Sequence, residues 1–393
     1  MPLALYLLAL AVFAMGTSEF MLAGLVPDIA ADLDVPVGTA GLLTSAFAAG
    51  MVIGAPVMAA LTRRLAVRAT LVGCIALFAV AHVVAAVTPD FAVLFATRVL
   101  SALANAGFLA VALGAATRLV APDRKGRALA VLLSGTTVAT VVGVPAGALL
   151  GTAFGWRSTF WAVALLCIPA ALGVTRAFGP RARGDASGAP AQVSLRSELA
   201  QLRTPRVALA MLLAALLNAG TFAVLTYLAP IVTDTADLSP WWVPVALALF
   251  GAGSFLGVTV AGRLSDAHPR MLVLGGGILL LLGWLALAVF GSLPPVALAL
   301  LLTQGALGFA VGSALITRVL YAASGAPTMG GSYATAALNV GAVVGPVCGA
   351  ASLGTAAGAL GPVWVAVATT AGTLLLAVPV LRLLTPGRSH QTA

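Results

Sequence analysis

Stretches of about twenty apolar residues recur along this chain from end to end, and each is long enough to cross a hydrocarbon layer about 30 Å thick at about 1.5 Å of rise per residue. Twelve are distinguishable, at 3–27, 38–61, 70–88, 91–116, 128–152, 158–178, 206–232, 241–262, 270–291, 294–317, 328–353 and 361–382. A sequence built this way predicts an all-α membrane protein of twelve transmembrane helices. Composition agrees, because 61% of the residues are hydrophobic and only 8% are charged, against roughly a quarter charged in a soluble domain. The first stretch lacks a basic n-region and an A-x-A cleavage site and it carries an acid, so it reads as helix 1 and not as a removable leader.

The net charge of +9 would point to nucleic acid in a soluble protein, but here the basic residues have to be placed against membrane topology. Arg63, Arg64 and Arg68 follow the second stretch, Arg118, Arg124, Lys125 and Arg127 the fourth, and Arg176, Arg181, Arg183, Arg196, Arg203 and Arg206 surround the end of the sixth. The opposite loops carry Asp28, Asp32, Asp34, Asp90, Asp234 and Asp237, with Arg157 as their base. The positive-inside rule therefore puts both termini in the cytoplasm, and an even number of spans satisfies it. Cys74, Cys167 and Cys348 all fall inside spans, too far apart in sequence for a metal motif, and no metal site is expected.

The longest polar interval, about 179–205, divides the chain into bundles at 1–178 and 206–393 and reads as a cytoplasmic linker; Leu195, Leu199 and Leu202 lie at helical spacing within it, which suits a short surface helix or a disordered tether. Features recur at an offset of about 200 residues. Gly16-Thr17 with Pro27 returns as Gly220-Thr221 with Pro230, and Gly143, Gly147 and Gly151 around Pro145 return as Gly341, Gly345 and Gly349 around Pro346. Gly50 and Gly54 return as Gly253 and Gly257. Small residues four apart let two helix backbones approach closely, so these are expected packing seams. Two copies of six spans run the same way through the bilayer, giving two parallel pseudo-symmetric six-helix bundles with a cavity between them.

Several motifs resemble those of the major facilitator superfamily and, within it, the twelve-span drug:proton antiporters, nearest to the chloramphenicol exporters of actinomycete type. GTSEF with GLVPDIAADL (16–20 and 24–33) is similar to the helix 1 signature of that group, and Arg98 in RVLSALANAG to the basic residue of its helix 4 motif. VVGVPAGALLG followed by GWRSTF resembles the antiporter motif of helix 5, which implies a gating or structural role for Gly143, Pro145 and Gly147. GRLSDAHPR (262–270) resembles the loop motif found after helices 2 and 8. Gly262 would allow a close helix crossing there, with Asp266 and Arg270 forming a cytoplasmic latch. The first copy, AALTRRLAVR, departs from that motif at Ala59, Arg63 and Ala66. The resemblance implies alternating access and places Glu19 and Arg98 in the cavity wall.

Of the eleven acidic residues, only Glu19 lies about eight residues, or about 12 Å, inside a span. Hydrocarbon disfavours an ionised carboxylate, so a buried acid that water reaches in one conformation and not in the other is a proton carrier. Arg98 is the second intramembrane charge and its natural partner, since buried charges rarely stand alone. The other half has no such pair: Phe222 or Ala223 stands at the offset from Glu19, and Thr303 or Gln304 at the offset from Arg98. That half offers a substrate Asn218, Phe222, Tyr227, Gln304, Phe309, Tyr333 and Asn339, joined by Asn105 and Phe108 on helix 4. His82 reads as a hydrogen-bonded packing residue rather than a second proton site. One inward proton gains about 2.3 kcal/mol per 100 mV and about 1.4 kcal/mol per pH unit, enough for a gradient of roughly several hundredfold in a neutral solute.

Other classes fit less well. The single lysine, Lys125, lies in PDRKGRA without phosphate-loop spacing, and neither H-E-x-x-H nor G-x-S-x-G occurs, so neither an ATPase nor an enzyme with catalytic residues is expected. The duplicated halves and one buried acid favour a gated carrier over a channel. The expectation is a monomeric exporter in the bacterial cytoplasmic membrane, with no cofactor and no nucleic-acid partner, that exchanges protons for chloramphenicol or a related small amphipathic drug. A sugar or other small metabolite is the alternative cargo.

Overall fold

The computed structural model describes residues 2–62, 65–121, 124–177, 200–264, 268, 270–325 and 330–384. These contain twelve helices long and apolar enough to cross a membrane: α1 Leu3–Gly24, α2 Val37–Ala55, α3 Val67–Val87, α4 Phe91–Arg118, α5 Arg127–Phe154, α6 Trp156–Arg176, α7 Pro205–Thr226, α8 Trp242–Leu264, α9 Met271–Phe290, α10 Pro294–Ala322, α11 Gly330–Leu353 and α12 Gly358–Ala377. No strand occurs among the described residues. Each predicted stretch is one of these helices, its ends shifted by a few residues. Ile53, Val80, Leu165, Ile168, Leu282 and Leu375 are exposed on the outside of the bundle, an apolar coat suited to lipid.

The packing repeats. α1 lies on α5 as α7 lies on α11, α2 on α4 as α8 on α10, and α3 on α6 as α9 on α12. The cause is legible at two glycines. The place a Cβ would take on Gly253 and Gly257 is filled by the carbonyl oxygens of Leu302 and Ala306 on α10, so only a bare backbone fits that crossing. In the first half a Cβ on Gly50 would stand 2.6 Å from the Ala102 Cβ. The loops repeat too: Asp34 and Asp237, with φ of 51° and 50°, turn the chain after α1 and α7 in the left-handed conformation that aspartate tolerates better than most residues.

Each half has its own apolar core. One is built from residues between Leu5 and Val174 and takes in Tyr227 from the other half. The second spans Val207 to Ala377 and takes in Ala23, Val144 and Ala148. A small third cluster, Ala48, Phe222 and Ala342, sits between them. The halves therefore meet at the middle of the bundle and at the end away from the chain termini. There Ser45 donates to the Val343 carbonyl at 2.8 Å, and Tyr227 lies within hydrogen-bonding distance of two backbone oxygens, Gly38 at 3.2 Å and Pro346 at 3.0 Å.

Within α5 a π-helical turn, Ala139–Gly143, precedes Pro145. Proline has no N–H to give and its ring crowds the carbonyl four residues back, which a wider turn relieves. Pro346 sits inside an uninterrupted α-helix. Of the linker, Leu195 and Leu199 lie outside the described residues, while Leu202 falls in a short turn, Gln201–Arg203.

Candidate functional site: a buried polar chain and an interdomain cleft

α1 is α-helical to Phe20 and tightens into a 3-10 turn over Met21–Gly24. Just before that change stand Ser18, fully buried, and Glu19, partly exposed. Arg98, 1% exposed on α4, reaches across to α1. Its Nη1 donates to the Ser18 Oγ at 2.8 Å and its Nη2 to the Ser18 carbonyl at 2.8 Å. Its guanidinium carbon lies 4.6 Å from the centre of the Phe47 ring on α2, a cation–π contact. On the far side of Ser18, the His82 Nε2 is 2.6 Å from the Ser18 Oγ, and the His82 Nδ1 is 2.7 Å from the Phe78 carbonyl. The imidazole stacks on Phe78 at 4.2 Å and tilts against Phe160 at 5.7 Å.

Glu19 and Arg98 act on each other electrostatically. They do not form an ion pair: the ion pair among the described residues joins Arg157 and Asp32. The expected partnership thus takes a different form. Arg98 is held by the hydroxyl and backbone of the residue before Glu19, and the carboxyl group forms no ion pair with it. Ser18 was not singled out by the sequence, although its place inside GTSEF is the signal that could have marked it. His82 is the hydrogen-bonded residue expected.

The second element of the site is a narrow, partly open cleft between the halves, lined by Phe20, Thr140, Val144, Leu225, Leu247, Phe250, Gly251, Ser254 and Phe309. Phe250 and Phe309 meet edge to face at 6.3 Å. Phe20 reaches across to Phe222 at 5.9 Å. Phe20 directly follows Glu19, so one turn of α1 joins the polar chain to the cleft.

The proposed substrate residues divide. Phe309 lines the cleft and Phe222 borders it. The others do not face it. Phe108 is fully buried in the first core, and Asn105, also buried, donates to the Met51 sulfur at 3.6 Å. Gln304, with no exposure, donates to the Leu280 carbonyl at 2.9 Å; Asn339 donates to Thr335 of its own helix at 2.9 Å. Asn218 donates to the Leu338 carbonyl at 2.7 Å, tying α7 to α11. Tyr333 is packed in the second core, and Tyr227 closes the end of the bundle. Asn218, Gln304, Asn339 and Tyr227 share one reason: their buried N–H or O–H groups go to nearby backbone carbonyls.

The gating residues divide as well. Gly143 presses on Thr17, leaving no room for a side chain, and the Gly147 carbonyl accepts from Thr159 at 2.8 Å. A Cβ on Gly262 would meet nothing among the described residues within 4 Å. Arg270 is exposed just before a π-helical turn, and Asp266 lies outside the described residues. Among the described residues no cluster of His, Cys, Asp or Glu could hold a metal ion.

The family model described as Major Facilitator Superfamily matches residues 8–346. The chloramphenicol resistance protein of Streptomyces lividans is 63% identical over 380 residues, covering 96% of both chains. The inner membrane transport protein YdhP of Escherichia coli K12 is 34% identical over 345 residues, 88% of this chain and 87% of its own. Among solved structures, a bacterial homologue of the human lysosomal transporter Spinster, in an inward-facing and unoccupied conformation, superposes with a TM-score of 0.71 over 97% of this chain and 95% of that one. Its sequence identity is 18%, so that likeness concerns the fold.

Proposed function

We propose that this chain, which belongs to the Major Facilitator Superfamily, exports chloramphenicol or a related small amphipathic drug in exchange for protons. It is a twelve-span transporter and not an enzyme. The observation that carries the choice of cargo is the cleft between the halves, whose wall is aromatic and aliphatic with two hydroxyls, Thr140 and Ser254. Such a wall suits a flat, largely apolar solute with few polar groups. A sugar needs many directed hydrogen bonds, and the amides that could have supplied them, Asn105, Gln304 and Asn339, are not part of the cleft wall. The name of the Streptomyces lividans relative supports the same cargo.

Coupling rests on Glu19. Its partial exposure and lack of an ion pair leave it able to bind a proton when the cavity admits water and to be sealed when the halves rock. With both termini in the cytoplasm, the end joined by Tyr227 and Ser45 is extracellular and closed. The bundles 1–178 and 206–393 then move as two bodies in the membrane of a bacterial cell, working as a monomer.

Proteoliposomes with an imposed proton gradient test the reading. Drug-dependent proton movement and uphill drug flux are expected from the wild type. Glu19→Gln is expected to abolish uphill flux while drug still binds, and undiminished uphill flux in that variant would remove the coupling role. Flux of a sugar with none of any phenicol would transfer the assignment to a metabolite exporter.

A further inference from the structure

With a neutral imidazole, the hydrogen bonds around Ser18 have one consistent direction. The Phe78 carbonyl can only accept, so the His82 Nδ1 that meets it at 2.7 Å carries a proton. Arg98 can only donate, so the Ser18 Oγ accepts from it at 2.8 Å. The remaining contact, 2.6 Å between the Ser18 Oγ and the His82 Nε2, is satisfied when the serine hydroxyl donates to an unprotonated nitrogen. Every proton in the chain then points from Arg98 through Ser18 to His82 and on to the carbonyl. Ser18, His82 and Arg98 are 0%, 1% and 1% exposed, so water cannot substitute for any of these partners.

We propose that Ser18 and a neutral, Nδ1-protonated His82 are positioning residues for the proton-coupling role of Glu19, on which this rests: they hold the Arg98 guanidinium against α1, close enough to act on Glu19 but unable to pair with it. Without that tether the guanidinium would turn to the neighbouring carboxylate, and an ion pair would favour the ionised acid and hinder proton uptake. The groups facing His82 are Ser18 from α1, Arg98 from α4 and the Phe160 ring from α6, with Phe78 on its own helix. On the described parts of the helices packed against α1, the charges other than Arg98 are Arg118, Lys125, Arg127, Arg157 and Arg176, all at helix ends, and Cys167 is a buried thiol. Among the described residues of these helices, no other charge stands mid-membrane to replace Arg98 beside Glu19.

The test is the pH profile of drug-driven proton exchange in proteoliposomes made from the full chain. Ser18→Ala and His82→Phe are expected to move half-maximal flux towards acid by about one pH unit, with drug binding in the absence of a gradient retained. His82→Gln, which can accept from Ser18 through its amide oxygen and has no titrating group, is expected to keep the wild-type profile. Unchanged profiles in Ser18→Ala and His82→Phe would overturn the proposal while leaving Glu19 coupling intact. Loss of coupling in His82→Gln would also overturn it, because the imidazole would then be titrating. A wild type indifferent to the proton gradient would remove both. A measurement without these variants covers any that fail to fold. Ring-nitrogen NMR of the protein carrying His268→Gln and His390→Gln should report a neutral Nδ1–H imidazole throughout the transport pH range, and a protonated ring would refute it.

Discussion

Tyr227 shows how a single side chain can serve both packing and movement. Its hydroxyl has one proton and two acceptors, the Gly38 carbonyl on α2 and the Pro346 carbonyl on α11, and its ring fills the place where a side chain on Gly41 would stand. It was expected in the substrate cavity, because a tyrosine in a span carries both an apolar face and a polar tip. The structure uses both properties to close the end of the bundle away from the chain termini. Tyr227→Phe should weaken that closure by about 1 kcal/mol, seen as a larger fraction open at this end in spin-label distance measurements. An unchanged distribution would mean that the ring alone holds the ends together.

The short helix Val26–Asp32 and the start of α6 are held by Arg157. It pairs with Asp32 and donates to the Thr88 carbonyl at 3.0 Å, while the Trp156 indole donates to the same carboxylate at 3.2 Å. The hydrogen bond from Arg157 holds the Asp32 carboxyl below the usual carboxylate range. A depressed folded-state value stabilises the protein above the unfolded value near 3.9, and that contribution is lost as pH falls through the folded value. Both side chains are well exposed, so the pair is worth only about 0.5 kcal/mol after screening. Arg157→Ala should lower the melting temperature slightly at neutral pH, and the difference should shrink below about pH 4. The glycine seams are less forgiving. Gly257→Leu has to push α8 off α10 against the Ala306 carbonyl, and a loss of about 2 kcal/mol or more is expected in chemical unfolding.

At the scale of the whole molecule, transport requires the far ends of the two halves to separate. A Cβ built on Gly38 stands 3.2 Å from that of Ala350, close to the usual range in a disulfide, which is about 3.5–4.5 Å. With Cys74, Cys167 and Cys348 replaced, Gly38→Cys together with Ala350→Cys should crosslink under mild oxidation and stop drug flux, and reduction should restore it. Flux that persists in the crosslinked protein would rule out rocking at this end.

The twelve helices, their pairing into two copies and the position of Glu19 could all be read from the chain itself. Hydrocarbon forces long apolar runs, duplication leaves glycines at matching offsets, and a lone acid in lipid is conspicuous. Which polar side chains face the cavity was decided only by the fold. Asn105, Gln304 and Ser18 look alike as isolated polar residues in apolar helices. Their fates diverge because each takes a partner that packing brings within hydrogen-bonding reach, and those partners lie 24 to 80 positions away. Helix periodicity sets the face on which a residue lies, but only the rotation and depth of neighbouring helices set what that face meets.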